Sequence, residues 1–296
     1  MSSGTPEIPD NHHHWEQLAA FHGTGDDDFY DLSEIISGGT RMGAAERAAV
    51  DRAMGGENLS GLSGQRVAHL QCHLALDAIT MARAGAEVTG IDFSSTALRR
   101  AEELARACGV HLHTVEADSR NLPESLNNRF DLVYASIGVI YWIDDLAAFM
   151  AGVERILAPG GRFVLVDLHP MLTMIGSLDP LVLDFPYGGN QEFVYSGTGT
   201  YANRDAEVSW TVASYPHSVA EIVMAVLGAQ MQLSFLDETC ATTTSTGSVA
   251  TKESDGVYRI RLGRGSEDDP EVLAEPIPLL LTVIATANGE AEPTPA

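Results

Sequence analysis

The turn at residues 71–73, Gln-Cys-His, and the acid Asp92 are the residues whose types and spacing point most directly to chemistry. An apolar segment, Arg66–Gln71, leads into the turn, and a second one, Glu87–Ile91, ends at the acid, with a helix-length pattern between them. This order predicts the first half of a nucleotide-binding βαβ unit, in which the acid accepts hydrogen bonds from ribose hydroxyls. The turn lacks the glycines that let a backbone approach a pyrophosphate. A dinucleotide is therefore disfavoured, and a nucleoside with a small zwitterionic tail fits better.

The elements that must hold this turn alternate between strand-like and helix-like patterns. Apolar runs predict strands over Arg66–Gln71, Glu87–Ile91, Val110–Val115, Phe130–Ala135, Arg162–Leu168, Met231–Leu236, Val257–Leu262 and Pro278–Ala287. Helical spacing of apolar residues predicts helices over Leu76–Ala84, Ser94–Cys108, Leu146–Leu157 and Ser218–Leu227. The alternation predicts an α/β fold with a Rossmann-like, doubly wound sheet that is mostly parallel and has an antiparallel last strand. Ligands of such sheets bind off the carboxyl ends of the strands.

Two segments depart from this alternation. Residues 1–60 predict an N-terminal helical extension, with two helical pieces in residues 12–56 broken around Gly38-Gly39, that covers the ligand or contacts a second subunit. Residues 170–216 carry prolines, glycines and aromatics, which is typical of a lid or substrate-binding insertion. Residues 61–169 are then the cofactor-binding core, and residues 217–296 complete the sheet and end in a tail.

Composition excludes some classes of partner. The chain has 41 acidic and 17 basic residues, a formal charge of −24, which disfavours nucleic acid and anionic membranes. Three cysteines without Cys-x-x-Cys spacing disfavour disulfides and structural zinc, and adjacent helical histidines at 12–14 point apart, so no metal is expected. No signal peptide or membrane span is evident, so a cytoplasmic protein is expected.

The ordered strings Leu70-Gln71-Cys72-His73, Asp77 and Val88-Thr89-Gly90-Ile91-Asp92-Phe93-Ser94 resemble class I S-adenosylmethionine-dependent methyltransferases. They look most like a bacterial small-molecule branch in which a Gln-Cys-His turn replaces the Gly-rich loop. The likeness extends over roughly residues 29–236. It implies S-adenosyl-L-methionine as the cofactor and a small, partly hydrophobic methyl acceptor, plausible for secondary metabolism. One departure is Ala75, where the branch has glycine; a β-carbon there disfavours a positive φ.

The resemblance implies a role for each cofactor-site residue. The methionyl tail would lie at the turn, the ribose near Asp92, the adenine after the third strand, and the sulfonium after the fourth. The implied cofactor-binding residues are Gln71, Cys72, His73, Asp92, Phe93, Asp118, Ser119, Ser136 and Tyr30. The alternatives are a helix N-cap for Asp92, turn structure for His73, a loop cap for Asp118 and helix packing for Tyr30.

Acceptor binding and catalysis are assigned to residues farther along the chain. Tyr141, Trp142 and Tyr201 are candidate walls of an acceptor site, although aromatics at such positions also build cores. In-line methyl transfer needs alignment and, for a protic acceptor, a base. His169 and His217 are candidate bases, with Glu221 one helical turn after His217 to orient it. Hydrogen-bonded structural histidines are the alternative.

Two other functions remain compatible with the sequence. The first is a protein of the same fold that binds S-adenosylmethionine without transferring methyl, as a cyclisation or rearrangement catalyst or a binding subunit, for which Ala75 is the support. The second is a nicotinamide oxidoreductase, which the missing Gly-x-Gly-x-x-Gly disfavours. Self-association would use the N-terminal helices.

Overall fold

The computed structural model of the chain describes residues 11–24, 30–178, 181–203, 205–243, 251–253, 255–260 and 277–288. The α-helices are α1 Asn11–Phe21, α2 Leu32–Ile36, α3 Ala44–Met54, α4 Leu76–Arg83, α5 Ser95–Ala107, α6 Leu146–Ile156, α7 Pro170–Thr173 and α8 Val219–Gly228. The first strands are β1 Arg66–Leu70, β2 Glu87–Asp92, β3 His113–Glu116, β4 Phe130–Ser136, β5 Leu157–Leu168, β6 Ile175–Leu178 and β7 Leu181–Leu183. The remaining strands are β8 Phe193–Thr198, β9 Ser209–Ser214, β10 Gln232–Thr239, β11 Thr251–Lys252, β12 Tyr258–Arg259 and β13 Leu280–Thr286.

Seven strands form one sheet in the order β10-β13-β5-β4-β1-β2-β3. The pairs from β3 to β5 are parallel, whereas β13 runs antiparallel to both of its neighbours, β5 and β10. The Rossmann-like sheet with an antiparallel last strand is therefore confirmed. The order reverses at β1 and β4, and such a switch point is where an open α/β sheet binds its ligand.

Helices cover both faces of the sheet. One apolar core joins α3, α4 and α5 to one face, with Val67, Ile79 and Ala101 among its buried members. The second core joins α6 and α8 to the other face, around Phe149 and Val226. Strands buried on both faces read as nearly continuous apolar runs, which is why the central strands were predictable. Within the described ranges, no helix has both the length and the apolar character needed to cross a bilayer.

The described residues of the N-terminal segment form three α-helices, so the prediction of two helical pieces was incomplete. The helix that was not predicted is α2, which has five residues. It begins after Asp31, whose side chain accepts a hydrogen bond from the amide of Glu34 at 2.9 Å. Helix α1 joins two parts of the fold. Asn11 makes two hydrogen bonds to the backbone of Ala213 in β9, and Arg100 of α5 donates to a carbonyl oxygen at the end of α1.

Residues 170–216 contain α7 and two antiparallel hairpins, β6–β7 and β8–β9. Two predicted boundaries are corrected here. Strand β5 begins at Leu157 rather than Arg162, because an irregularity in its pairing with β4 lets the strand continue through the Pro-Gly-Gly sequence. The strand expected at Val257–Leu262 is only β12, paired with β11 in a separate hairpin. Its end at Leu262 lies outside the described residues, as do much of the Thr-rich stretch after Thr239 and the C-terminal tail.

Candidate active site

A cavity of about 490 Å³ lies at the carboxyl ends of β1, β2 and β4, which is a typical size for a small-molecule site. Its floor is the turn between β1 and α4. One wall is the loop after β4, and residues from α1, from the segment before α2 and from the 170–216 segment close the other side. Gln71, Cys72, His73, Phe93 and Ser136 of the predicted cofactor residues all line it.

The turn adopts a glycine-like backbone without glycines. Gln71, His73 and Ala75 have φ values of 50°, 46° and 57°, in the left-handed region that costs non-glycine residues free energy. A glycine that supports the turn, Gly90, lies on the neighbouring strand β2. A β-carbon on Gly90 would lie 2.9 Å from the Sγ atom of Cys72, so glycine there allows Cys72 to pack against the strand. The turn is thus fixed by its neighbours as well as by its own sequence.

Asp92 lies at the end of β2 and lines the cavity, although its side chain is almost fully buried. Its Oδ2 atom accepts a hydrogen bond from the amide of His73 at 2.9 Å, and its Oδ1 atom accepts one from the amide of Ser94 at 2.8 Å. Burial raises the pKa of the carboxyl group, and these two hydrogen bonds only partly oppose the effect. A buried carboxylate with remaining lone pairs is stabilised by further donors such as vicinal hydroxyls.

Polar residues line the cavity near the start of α4. Asp77, in the first turn of α4, accepts hydrogen bonds from the hydroxyls of Tyr134 at 3.0 Å and Ser136 at 2.9 Å. His69, only 4% exposed, lines the same region, and its Nδ1 atom has no hydrogen-bond partner among the described residues. Burial lowers the pKa of His69 to about 4, so the ring is neutral at pH 7. Arg41 adds a cation to this lining.

The loop after β4 is held by Asp167, a residue that the sequence analysis missed. Its buried carboxylate accepts hydrogen bonds from the amides of Gly138, Val139, Ile140 and Leu168. The loop lines the cavity, so Asp167 shapes the site without touching it. The sequence did contain a signal, since an acid near the end of a buried strand also marked Asp92.

Aromatic rings form the outer side of the cavity. Trp15 of α1 packs edge-on against Trp142, with ring centroids 5.5 Å apart. Tyr141 and Tyr201, predicted for the acceptor site, and Tyr30, predicted for the cofactor site, also line the cavity, and the hydroxyls of Tyr30 and Tyr201 are hydrogen-bonded to each other. The N-terminal segment and the 170–216 segment therefore meet over the site.

Residues 67–161 match the sequence profile of the methyltransferase domain family, and this range holds the turn, Asp92 and the loop after β4. This range is therefore similar in sequence to methyltransferase domains. The match covers the part of the sheet that carries the cavity floor. The segments that close the cavity lie on both sides of it.

Known proteins are similar in sequence to part of the chain. An uncharacterized methyltransferase of Synechocystis sp. is 37% identical over 115 residues, 38% of this chain and 51% of that protein. A ubiquinone biosynthesis O-methyltransferase of Alkalilimnicola ehrlichii is 34% identical over 111 residues, 38% of this chain and 44% of that protein. The chain thus spans about half the length of these curated relatives.

A solved structure shares the fold over a longer range. The S-adenosylmethionine-dependent methyltransferase of Mesorhizobium loti superposes with a TM-score of 0.53 at 22% identity, covering 85% of this chain and 99% of that one. At this identity the likeness concerns the fold, including helices outside the methyltransferase domain.

Two predicted cofactor residues lie outside the cavity lining of the methyltransferase domain. Asp118 follows β3, and its carboxylate is held by the guanidinium of Arg120, 2.5 Å from Oδ2. Arg120 also pairs with Asp144 at 2.6 Å. Ser119 is buried, and its hydroxyl accepts a hydrogen bond from the side-chain Nε2 atom of Gln71 at 3.1 Å. Ser119 therefore supports the turn from behind, and an adenine contact by Asp118 stays a prediction.

The three predicted catalytic residues also lie away from the cavity. His217 donates from Nε2 to the carbonyl of Ile143, and burial lowers the pKa of its ring. His169 accepts the amide of Met171 at Nδ1, which places its proton on Nε2, 2.7 Å from Glu238. Both nitrogens of His169 and the Nε2 atom of His217 are thus engaged in hydrogen bonds outside the cavity.

Glu221 does not orient His217 in the described structure. Its Oε2 atom accepts hydrogen bonds from the amide of Ser218 at 2.7 Å and from the Ser218 hydroxyl at 2.8 Å, so it forms a capping box at the start of α8. The correction has a local cause, because the residue types that look catalytic at element ends are also those that cap them.

Ala75→Gly is expected to raise the free energy of unfolding by about 1 kcal/mol. A β-carbon in the left-handed region costs about 1–2 kcal/mol, and the larger unfolded-state freedom of glycine offsets part of that gain. Urea denaturation measures the change. Ala48→Gly, at an exposed position inside α3, is the matched control and is expected to lower stability by about 0.5–1 kcal/mol. A loss of stability in both variants would show that Ala75 is not strained.

Proposed function

We propose that this protein is an S-adenosylmethionine-dependent methyltransferase that acts on a small, partly hydrophobic acceptor. The observation that carries the proposal is Asp92, a buried carboxylate that lines the cavity at the switch point of the sheet and accepts hydrogen bonds from two backbone amides. Two ribose hydroxyls donate the hydrogen bonds that such a group needs. The methyltransferase domain, residues 67–161, supports the same conclusion.

The polar residues that line the cavity near the start of α4 fit the amino-acid tail of the cofactor. An ammonium group needs acceptors, which the Asp77 carboxylate and the neutral ring of His69 supply. A carboxylate needs a cation or backbone amides, and Arg41 and the amides at the start of α4 lie in the same lining. A pyrophosphate would instead meet the side chains of the turn and the carboxylates of Asp77 and Asp92.

The aromatic side of the cavity fits the acceptor. When bound, S-adenosylmethionine supplies a methyl group already activated on sulfonium. Trp15, Trp142, Tyr141 and Tyr201 would exclude water and orient an apolar or aromatic acceptor against it. The 170–216 segment then acts as a lid, because Tyr201 belongs to it and meets Tyr30 over the site.

Isothermal titration calorimetry with three ligands tests this function. S-adenosylhomocysteine is expected to bind saturably, 5′-methylthioadenosine at least about tenfold more weakly because it lacks the charged tail, and NAD not measurably. Tight NAD binding without binding of S-adenosylhomocysteine would overturn the proposal. Equal affinity for S-adenosylhomocysteine and 5′-methylthioadenosine would show that the polar residues near the start of α4 do not bind the amino-acid tail.

A further inference from the structure

The cavity lining contains one histidine whose surroundings suit a base. His73 lies in the turn, and its amide donates to Asp92, so its backbone is fixed beside the expected ribose site. Its ring packs edge-on against Trp15, with centroids 5.7 Å apart, and against Tyr30 at the same distance. The side chain therefore points from the cavity floor toward the aromatic side, between the cofactor and acceptor regions.

His22 holds the far nitrogen of this ring. The Nε2 atom of His73 lies 3.0 Å from Nδ1 of His22, which is fully buried. The ring of His22 stacks on Tyr30 at 4.8 Å, and its Nδ1 atom is 3.4 Å from the Tyr201 hydroxyl. When Nε2–H of His73 donates to His22, the Nδ1 atom of His73 carries the lone pair. Across the residues described, no group forms a hydrogen bond with that Nδ1 atom.

We infer that His73 is the catalytic base and that the acceptor presents an O–H or N–H group to its Nδ1 atom. This inference rests on the proposed methyltransferase function. The acceptor heteroatom forms a bond to the methyl carbon while the methyl–sulfur bond breaks, and that electron pair stays on sulfur. The acceptor proton moves to Nδ1 of His73, whose Nε2–H stays hydrogen-bonded to His22. His22 is a positioning residue that fixes the tautomer.

Burial, helped by neighbouring groups, keeps His73 unprotonated before reaction. Burial lowers its pKa well below the usual histidine value, and His22 and Arg100 lower it further. The titratable or charged groups facing the pair are His22 and Tyr30 of the N-terminal segment, Tyr201, Arg100 of α5 and Asp92 of β2. The neutral, accepting form therefore persists through neutral pH, and the transfer rate is expected to fall only below the ordinary histidine range.

The surroundings also indicate the class of acceptor. The ring of His73 packs against the rings of Trp15 and Tyr30, and Trp15 in turn packs against Trp142, so the side chain lies beside an aromatic cluster. Aromatic walls favour a flat ring, and the base favours a proton on oxygen or nitrogen. A phenol or an aromatic amine combines both features.

His73→Asn separates a base from a cofactor contact. Asparagine tolerates the positive φ at this position, so the variant is expected to fold. Its affinity for S-adenosylhomocysteine is expected to stay within about threefold of the wild type, because a base does not bind the cofactor. The exposed His111→Asn is the matched control. A loss of tenfold or more in affinity would make His73 a cofactor contact and overturn the inference.

Nitrogen-15 NMR of the wild type bound to S-adenosylhomocysteine tests the tautomer without an acceptor. Nδ1 of His73 is expected to be unprotonated and Nε2 protonated at pH 7, and His22→Gln is expected to change that balance. A protonated Nδ1 in the wild type would contradict the inference, whereas failure of S-adenosylhomocysteine to bind at all would contradict the proposed function instead.

Transfer of labelled methyl to phenol, catechol and tyramine completes the test. Transfer to at least one of these probes is expected, with a decrease of about 100-fold or more in kcat for His73→Asn and no change for His111→Asn. No transfer to any of them, by protein that binds S-adenosylhomocysteine, would overturn the acceptor class. An unchanged kcat in His73→Asn would show that His73 is not the catalytic base.

Discussion

Replacing Asp92 with alanine is expected to weaken the binding of S-adenosylhomocysteine at least about tenfold. Charge-assisted hydrogen bonds from ribose hydroxyls are worth about 1.5–3 kcal/mol, and about 1.4 kcal/mol corresponds to a factor of ten. The variant also removes the acceptor for the amides of His73 and Ser94, so the turn would lose a support that positions it. Calorimetry with the purified variant measures the affinity.

A second acid provides the control for this experiment. Asp131→Ala removes a carboxylate near the start of β4, where it pairs with Arg66 at 2.6 Å. This is the amino end of the parallel strands, whereas the cavity lies at their carboxyl ends. The affinity of this variant is expected to be unchanged. Asp92→Asn, which keeps the shape of the side chain but not the charge, is expected to bind more weakly than wild type. If Asp92→Ala binds S-adenosylhomocysteine as tightly as wild type, Asp92 does not belong to the cofactor site.

The fold was predictable where local pattern and tertiary environment agree. Strand β4 is a continuous apolar run because helices cover both of its faces, and Ser94 caps α5 through the amide of Ala97, so its start follows from the sequence. Helix α2 was missed because five residues contain too little helical periodicity to register. The early start of β5 depends on an irregular register with β4, which no property of residues 157–161 reveals.

The sequence predicted the turn and Asp92 at the cavity floor, but it did not predict the contact between His22 and His73. Asp92 and the turn are close in sequence and share one βαβ unit, so their meeting follows from the fold. His22 and His73 are 51 positions apart, and they meet through the packing of α1 against α5 and β9, which hydrogen bonds of Arg100 and Asn11 support. His169 and His217 lie at element ends, where His169 bonds to the amide of Met171 and to Glu238 and His217 bonds to the carbonyl of Ile143.

Asp167→Ala is expected to lower the free energy of unfolding by about 3 kcal/mol or more. The four amides of Gly138, Val139, Ile140 and Leu168 would lose their common acceptor, and each unsatisfied buried donor costs about 1–3 kcal/mol. Burial raises the pKa of this carboxyl group, so its removal also relieves some desolvation cost, which keeps the net loss below the sum of the four. Urea denaturation at neutral pH, at an unchanged m value, measures the loss.

Asp145→Ala provides the comparison that assigns this effect to the loop. Asp145 is also an aspartate that accepts a backbone amide, that of Ala148 at 2.9 Å, but it is an exposed cap with a single partner. Its loss is expected to cost about 1 kcal/mol. Because the Asp167 loop lines the cavity and the Asp145 cap does not, only Asp167→Ala should also weaken S-adenosylhomocysteine binding. Equal stability losses in the two variants, with affinity retained in both, would show that Asp167 does not position the loop.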